Sequence, residues 1–204
     1  MRFLEYDNLI DPLLKNLRVS IAAFAGLNPG QSVLDVCCGT GAQVRAYAQL
    51  GAVAAGIDLS PKMLAIAKRN SAKTHHNNIS FQLADAAALP FPDHSFDAAS
   101  VTFGLHDKPG NLRVKIVSEM IRVVKPGGFI LLADFTVPLP GNIWGFIARS
   151  IERNAGGSHY AGFRNYVASG GLDTILNTHH VREERIAQFL NGLVTAVKTG
   201  PVSS

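Results

Sequence analysis

The chain has 204 residues, 47% of them hydrophobic and 17% charged, a size at which one core still suffices and a composition with enough apolar material to fill it. One domain over residues 1–204 is expected. The net charge of +4 would suit an anionic partner, but the basic residues are scattered rather than gathered into a stripe, which argues against nucleic acid. The longest apolar runs, such as Ile21 to Ala25 and Phe129 to Ala133, fall far short of the roughly 18 residues that cross a bilayer, so no membrane span is expected. The opening MRFLEYDNLIDPLLK carries acidic residues and Pro12 where a secretory signal needs an apolar stretch, so a cytoplasmic location is expected.

Periodicity predicts an amphipathic helix over 13–25, a turn at Asn28-Pro29-Gly30 and a buried strand over Val33–Cys38. A helix over Ala42–Leu50 and a strand over Ala52–Ile57 follow. Ser60-Pro61 then starts a helix with a hydroxyl cap and proline in its first turn. Strands are predicted at Ile79–Ala84 and at Phe96–Thr102, the second introduced by Leu89-Pro90-Phe91-Pro92-Asp93, whose prolines bar a helix. Residues 111–124 have helical spacing, Lys125-Pro126-Gly127-Gly128 stops them, and Phe129–Phe135 makes a fifth strand. The segment 138–180 has weaker periodicity and is expected to form an excursion over the sheet edge, with Trp144 in the core. Ile186–Leu190 and Leu193–Lys198 read as a hairpin around Asn191-Gly192, a pair suited to a type I′ turn.

Five strands in alternation with helices, then a hairpin, predict an α/β fold. The sheet is expected to be Rossmann-like, doubly wound and seven-stranded, mostly parallel with an antiparallel hairpin at its C-terminal end. Ligands of such sheets bind outside the carboxyl ends of the strands, which here are Gly39–Gly41, Asp58, Asp85, Thr102–His106 and Asp134–Thr136. Gly39-Thr40-Gly41 turns a strand into a helix, where backbone N–H groups can approach a polar ligand. A full dinucleotide fingerprint asks for a third glycine where the chain has Val44, which weakens a nicotinamide reading. Asp58 lies 23 residues after Asp35, near the roughly 20-residue spacing of a ribose-binding carboxylate. Asp85 could accept from an exocyclic amine. Alone, each carboxylate reads as a helix cap or a surface charge; in joint register after three successive strands they read as a grip on one nucleoside.

Four stretches in order, VLDVCCGTG at 33–41, GIDLS at 56–60, LADAAALPFPDHSFDAASVTFGLHD at 83–107 and MIRVVKPGGFILLADFT at 120–136, resemble the class I S-adenosylmethionine-dependent methyltransferases. Within that superfamily the chain looks like the ubiquinone/menaquinone C-methyltransferase type and its small-molecule relatives. The resemblance implies that Gly39, Thr40 and Gly41 hold the methionine moiety of S-adenosylmethionine, that Asp58, with Leu59 beside it, takes the ribose hydroxyls, and that Asp85 and Ala86 contact the adenine. It implies a cofactor contact for Thr102 and makes Tyr6 a candidate lid over the cofactor, within an N-terminal helical lid of residues 1–27. The family begins its glycine loop with glycine or a small residue where this chain has Cys37, so Cys37 is expected in an ordinary backbone conformation.

Methyl transfer from a sulfonium is an in-line displacement, for which orientation and water exclusion matter most. A base is needed only if the acceptor loses a proton, and His106 stands where that base would be; a polar cap for the loop Leu105-His106-Asp107-Lys108 is the equal alternative. His159, Tyr160, Arg149 and Arg164 could line the acceptor pocket, or simply sit on a surface helix. The expected acceptor is a small molecule or lipid-like compound, a quinone precursor or phospholipid head group, with S-adenosylhomocysteine as product. A cofactor-binding regulator without turnover and a nicotinamide-dependent oxidoreductase stand as alternatives. No metal site is expected: the pairs His75-His76 and His179-His180 read as solvated loop residues, and Cys37-Cys38, the chain's two cysteines, supply too few ligands for a zinc cage. A bond between neighbouring cysteines would be strained, so both are expected as small buried side chains, one facing each helical layer.

Overall fold

The computed structural model describes residues 14–74 and 76–202; Tyr6, the rest of the opening segment and His75 lie outside them. Among the described residues α1 (Lys15–Ala25) leads to β1 (Ser32–Val36), α2 (Ala42–Gln49), β2 (Val53–Asp58), α3 (Pro61–Ser71) and β3 (Ile79–Leu83). Then come β4 (Phe96–Thr102), α4 (Gly110–Val123), β5 (Val124–Phe135), α5 (Ile143–Ala155), α6 (Gly157–Ala168), α7 (Gly171–Thr178), β6 (Glu183–Phe189) and β7 (Val194–Thr199). The seven strands form one sheet in the order β3-β2-β1-β4-β5-β7-β6. β1 to β5 pair in parallel, and β7 joins β5 and β6 antiparallel. The chain winds one way from β1 to β3 and the other way from β4 onward, so the crevice of a doubly wound sheet opens between the carboxyl ends of β1 and β4.

Two cores cover the two faces. Leu17 and Ile21 of α1, Val44 and Tyr47 of α2 and Leu64 of α3 pack on the face carrying Val33, Ala98 and Leu131. Ile116, Val117 and Met120 of α4 with Leu172, Ile175 and Leu176 of α7 pack on the face carrying Leu34, Val36, Ala99 and Leu132. Strands buried on both faces have little polar alternation, which is why they read as continuous apolar runs.

Local chemistry sets the element ends. Ser60 caps α3 by accepting from the Met63 N–H at 3.3 Å, with Pro61 in the first turn. The Lys125-Pro126-Gly127-Gly128 stop lies inside β5 rather than before it: the pairing jumps from Phe96–Val124 to Ala98–Phe129. A Cβ on Gly128 would collide with the Asp97 carbonyl, so a bulge with glycine at its close approach re-registers the strand. Asn191 and Gly192 both have positive φ, 53° and 83°, and Leu193 N–H donates to the Leu190 carbonyl, the type I′ turn expected of that pair.

The 138–180 segment, expected as an excursion of weaker periodicity, holds three helices. α7 enters the second core outright. Trp144 is 39% exposed, not in the core, beside exposed Ile143, Phe146 and Ile147 near the start of α5. α6 carries Gly157 and Gly162, which blur its apolar stripe, and Gly162 has a tertiary reason: a Cβ there would collide with the Asp107 carbonyl. That close approach seats α6 on the loop after β4. His179, expected in a solvated loop, is half-buried, its Nδ1 2.8 Å from the Ile175 carbonyl and its Nε2 3.0 Å from the Val114 carbonyl.

Candidate active site

β1 ends at Val36 rather than at the expected Cys38, so Cys37 begins the turn, and its φ is +55°. The expectation of an ordinary backbone there fails. A left-handed residue with a side chain costs on the order of 1–2 kcal/mol, and room for it comes from Gly104, where an added Cβ would stand 2.8 Å from the Cys37 Cβ. Cys37 packs against one core and Cys38 is buried in the other, so the two thiols do divide between the helical layers. Burial pushes the Cys37 thiol up to about 12 and raises that of Cys38 as well.

The loop is tied to β2. Gly39 N–H donates to Asp58 Oδ2 at 2.8 Å and Ser60 N–H donates to Asp58 Oδ1 at 2.8 Å, so one carboxylate joins the glycine turn to the start of α3. Gly39 and Gly41 have φ of 53° and 71°, the conformation that glycine adopts without a Cβ penalty. Thr40 is buried, Leu59 is exposed beside Asp58, and Asp85 is exposed and accepts from the Ala87 N–H at 2.9 Å, with Ala86 buried beneath. These candidates therefore share one rim at the carboxyl ends of β1, β2 and β3.

Below that rim lies a cluster of buried polar side chains, Arg18, Asp35, Gln43, Ser100 and Thr102, of which the sequence pointed only to Thr102 as a site residue. Asp35 on β1 is 2% exposed and accepts from Ser100 Oγ at 2.7 Å across the β1–β4 pair. Burial pushes its carboxyl up to about 7, against the pull of the Ser100 hydroxyl and the Arg18 charge. Arg18 comes from α1 and Gln43 from α2, with Gln43 Nε2 donating to the Arg18 carbonyl at 3.2 Å. Among the described residues, Arg18 Nε, Gln43 Oε1 and Thr102 Oγ1 are buried without hydrogen-bond partners, which native interiors rarely tolerate without a ligand or water to satisfy them. The signal for Asp35 was its charge in an otherwise apolar strand; Arg18 and Gln43, on separate helices, had none.

The ends of β4 and β5 build a second cluster. His106 Nδ1 lies 2.7 Å from Asp134 Oδ1, and Asp134 Oδ2 also accepts from the Leu105 and His106 N–H groups. Burial works against an imidazolium here, but the Asp134 carboxylate beside it raises the His106 pKa from its ordinary value. Burial likewise disfavours the Asp134 charge, yet the His106 ring and the converging N–H groups hold its carboxyl low. An ionised carboxylate only accepts, so Nδ1 carries the proton and Nε2 is the atom that faces outward. It faces Glu152 of α5, with Nε2 3.7 Å from Oε2, and Glu152 Oε2 is 2.6 Å from His159 Nε2 of α6. Phe103, Phe135 and Phe163 surround His106 with ring centroids 4.9 to 6.5 Å away.

Of the acceptor-side candidates, the structure brings His159 to His106, while Arg149, Tyr160 and Arg164 join Arg153 in a neighbouring cleft of about 570 Å³. Phe163 is the shared wall, stacked on Tyr160 and packed edge-on to His106. Glu152 went unread in the sequence because an acidic residue on an amphipathic helix carries no mark of burial.

Residues 33–128 match the methyltransferase domain family described as "Methyltransferase domain". A demethylmenaquinone methyltransferase of Renibacterium salmoninarum is 43% identical over 116 residues, 57% of this chain and 46% of that protein. One from Tropheryma whipplei is 43% identical over 137 residues, 65% of this chain and 55% of that protein. The chain thus spans about half the length of the curated relatives it matches. Among solved structures, a SAM-dependent methyltransferase from Aquifex aeolicus superposes over 99% of this chain and all of its own, with a TM-score of 0.74 at 19% identity. The magnesium protoporphyrin IX methyltransferase of Synechocystis PCC 6803, solved with bound SAH, covers 98% of this chain and 88% of its own, with a TM-score of 0.67 at 19% identity. With residues 33–128 matching that domain family on this fold, the chain resembles the class I S-adenosylmethionine-dependent methyltransferases of the menaquinone type.

Proposed function

We propose that the protein transfers a methyl group from S-adenosylmethionine to a small hydroxylated aromatic acceptor of the quinone-precursor class. The observation that carries this is the rim and pocket around Asp58 and Asp35. The Arg18, Gln43 and Thr102 atoms unpartnered among the described residues, with the Asp35 carboxyl, match the carboxylate and ammonium of a methionine tail. Asp58, which already orients the glycine turn, keeps acceptor capacity for ribose hydroxyls, and Asp85 with Ala86 would meet the base. The cofactor supplies an electrophilic methyl on sulfur; the chain supplies orientation and a site screened from water. Arg18, held against the Phe103 ring at 5.3 Å, joins the cofactor pocket to the acceptor side.

The acceptor would lie against the phenylalanine-lined face of His106, a setting that suits a flat apolar ring. The names of the relatives, demethylmenaquinone methyltransferases, support a quinone precursor over a phospholipid head group. Titration calorimetry with S-adenosylmethionine, S-adenosylhomocysteine and NAD on the protein and on Asp58→Ala tests the cofactor. Binding of the first two, weakened about tenfold or more in Asp58→Ala, is expected; binding of NAD instead would sink the proposal. An acceptor screen that follows S-adenosylhomocysteine release should respond to demethylated naphthoquinols and not to phosphatidylethanolamine, and cofactor binding without turnover would point to a regulator.

A further inference from the structure

We propose that His106, Glu152 and His159 form a binding site for one divalent transition-metal ion of the zinc class. The donor atoms of the three residues all lie within 4.8 Å of one another. The 3.7 Å between His106 Nε2 and Glu152 Oε2 is close to the edge of a tetrahedron whose metal–ligand bonds are about 2.0–2.1 Å. The pair His159 Nε2 and Glu152 Oε2, at 2.6 Å, needs to open by under about 1 Å as its hydrogen bond is exchanged for two metal bonds.

The surroundings are those of metal-ligating histidines, which usually give their other ring nitrogen to a carboxylate. His106 Nδ1 is held by Asp134 at 2.7 Å, and His159 Nδ1 lies 3.5 Å from Asp107 Oδ2. Both rings are therefore backed by a carboxylate and turn Nε2 toward the same Glu152 oxygen. Three elements fix the donors: the loop after β4, α5, and α6, which Gly162 seats against Asp107. Two imidazoles and one carboxylate favour zinc or its first-row neighbours over magnesium and calcium, which prefer all-oxygen shells. Three protein ligands leave a fourth position open, and the His159 side chain, 33% exposed against 7% for His106 and Glu152, gives the ion a way in.

The acceptor's part in this rests on the methyl-transfer reading; the binding of the ion does not. A hydroxyl of the acceptor would take the open position: its O–H bond breaks, an oxygen–metal bond forms, the proton passes to solvent, and nothing is oxidised. In that arrangement His106 is a ligand rather than the base that its position in the sequence suggests.

The test uses the whole chain, stripped with chelator and titrated with zinc by calorimetry and with cobalt(II) by visible absorption, in the absence of S-adenosylmethionine. One ion per chain, the strong bands of tetrahedral cobalt and a zinc-dependent rise in melting temperature are expected. Glu152→Gln and His159→Asn, each shown to be folded by circular dichroism, should weaken zinc by about 100-fold, and Asp134→Asn by about 10–100-fold. The proposal is overturned if the wild-type chain binds no zinc, or if both ligand variants bind it as wild type does. Since no step of this assay involves methyl transfer, its failure leaves the proposed activity standing, and failure of the activity screen leaves the metal site standing.

Discussion

Replacing Asp35 by asparagine should stabilise the free protein above neutral pH while weakening its hold on the cofactor. The Asp35 carboxyl has an ordinary value of 3.8 and is pushed up to about 7 by burial in the fold. A carboxyl whose folded value lies above its unfolded one binds its proton more tightly when folded, so stability is lost as pH rises from about 4 through about 7. A difference of about three in pKa, at about 1.4 kcal/mol each, sets an upper bound of about 4 kcal/mol on what the ionised group costs the fold at pH 8. Asparagine removes that cost, and its oxygen can still accept from Ser100 Oγ, 2.7 Å from Asp35 Oδ1. Urea denaturation of both proteins at pH 5 and pH 8 isolates the effect, because other titrating groups cancel in the difference between them. The variant should gain up to about 3 kcal/mol on wild type between the two pH values, the span of the titration that falls inside that window. Calorimetry at pH 8 should show S-adenosylmethionine bound about tenfold or more weakly by the variant, since the charge proposed to face the ammonium is gone. A stability difference that does not change with pH, or unaltered cofactor affinity, would refute the account of this pocket.

Gly56→Ala should lower stability by about 1–3 kcal/mol, read as a fall in melting temperature. The new Cβ would stand 2.8 Å from Val44 Cγ2 and 2.9 Å from both Cys38 Sγ and Phe81 Cδ1, with no exposed neighbour to give way. The thiols should be inert: at pH 8 only about one Cys37 in ten thousand is a thiolate when its pKa is about 12. Folded protein should therefore react with a disulfide reagent only as fast as it unfolds. Cys37→Gly should keep cofactor affinity, because glycine tolerates the +55° φ of that position.

Much of this protein is written locally. The caps, the prolines, the Asn191-Gly192 turn and the five apolar strands act within a few residues, so the sequence by itself determined the α/β alternation and, through it, the winding of the sheet. Knowing the winding placed the strand ends, and with them Gly39, Asp58, Asp85, Thr102 and His106 along the carboxyl edge. Tertiary structure decided what depends on contact between distant segments. Cys37 could leave ordinary backbone space only because Gly104 lies opposite it, 67 positions along. α6 hid its period because Gly162 answers to the Asp107 carbonyl rather than to its own helix face. Asp35 gained its partners from α1 and β4, and Glu152 and His159 reached His106 only when α5 and α6 folded over the loop after β4. Burial and charge pairing are properties of surfaces brought together, and no spacing along the chain encodes them.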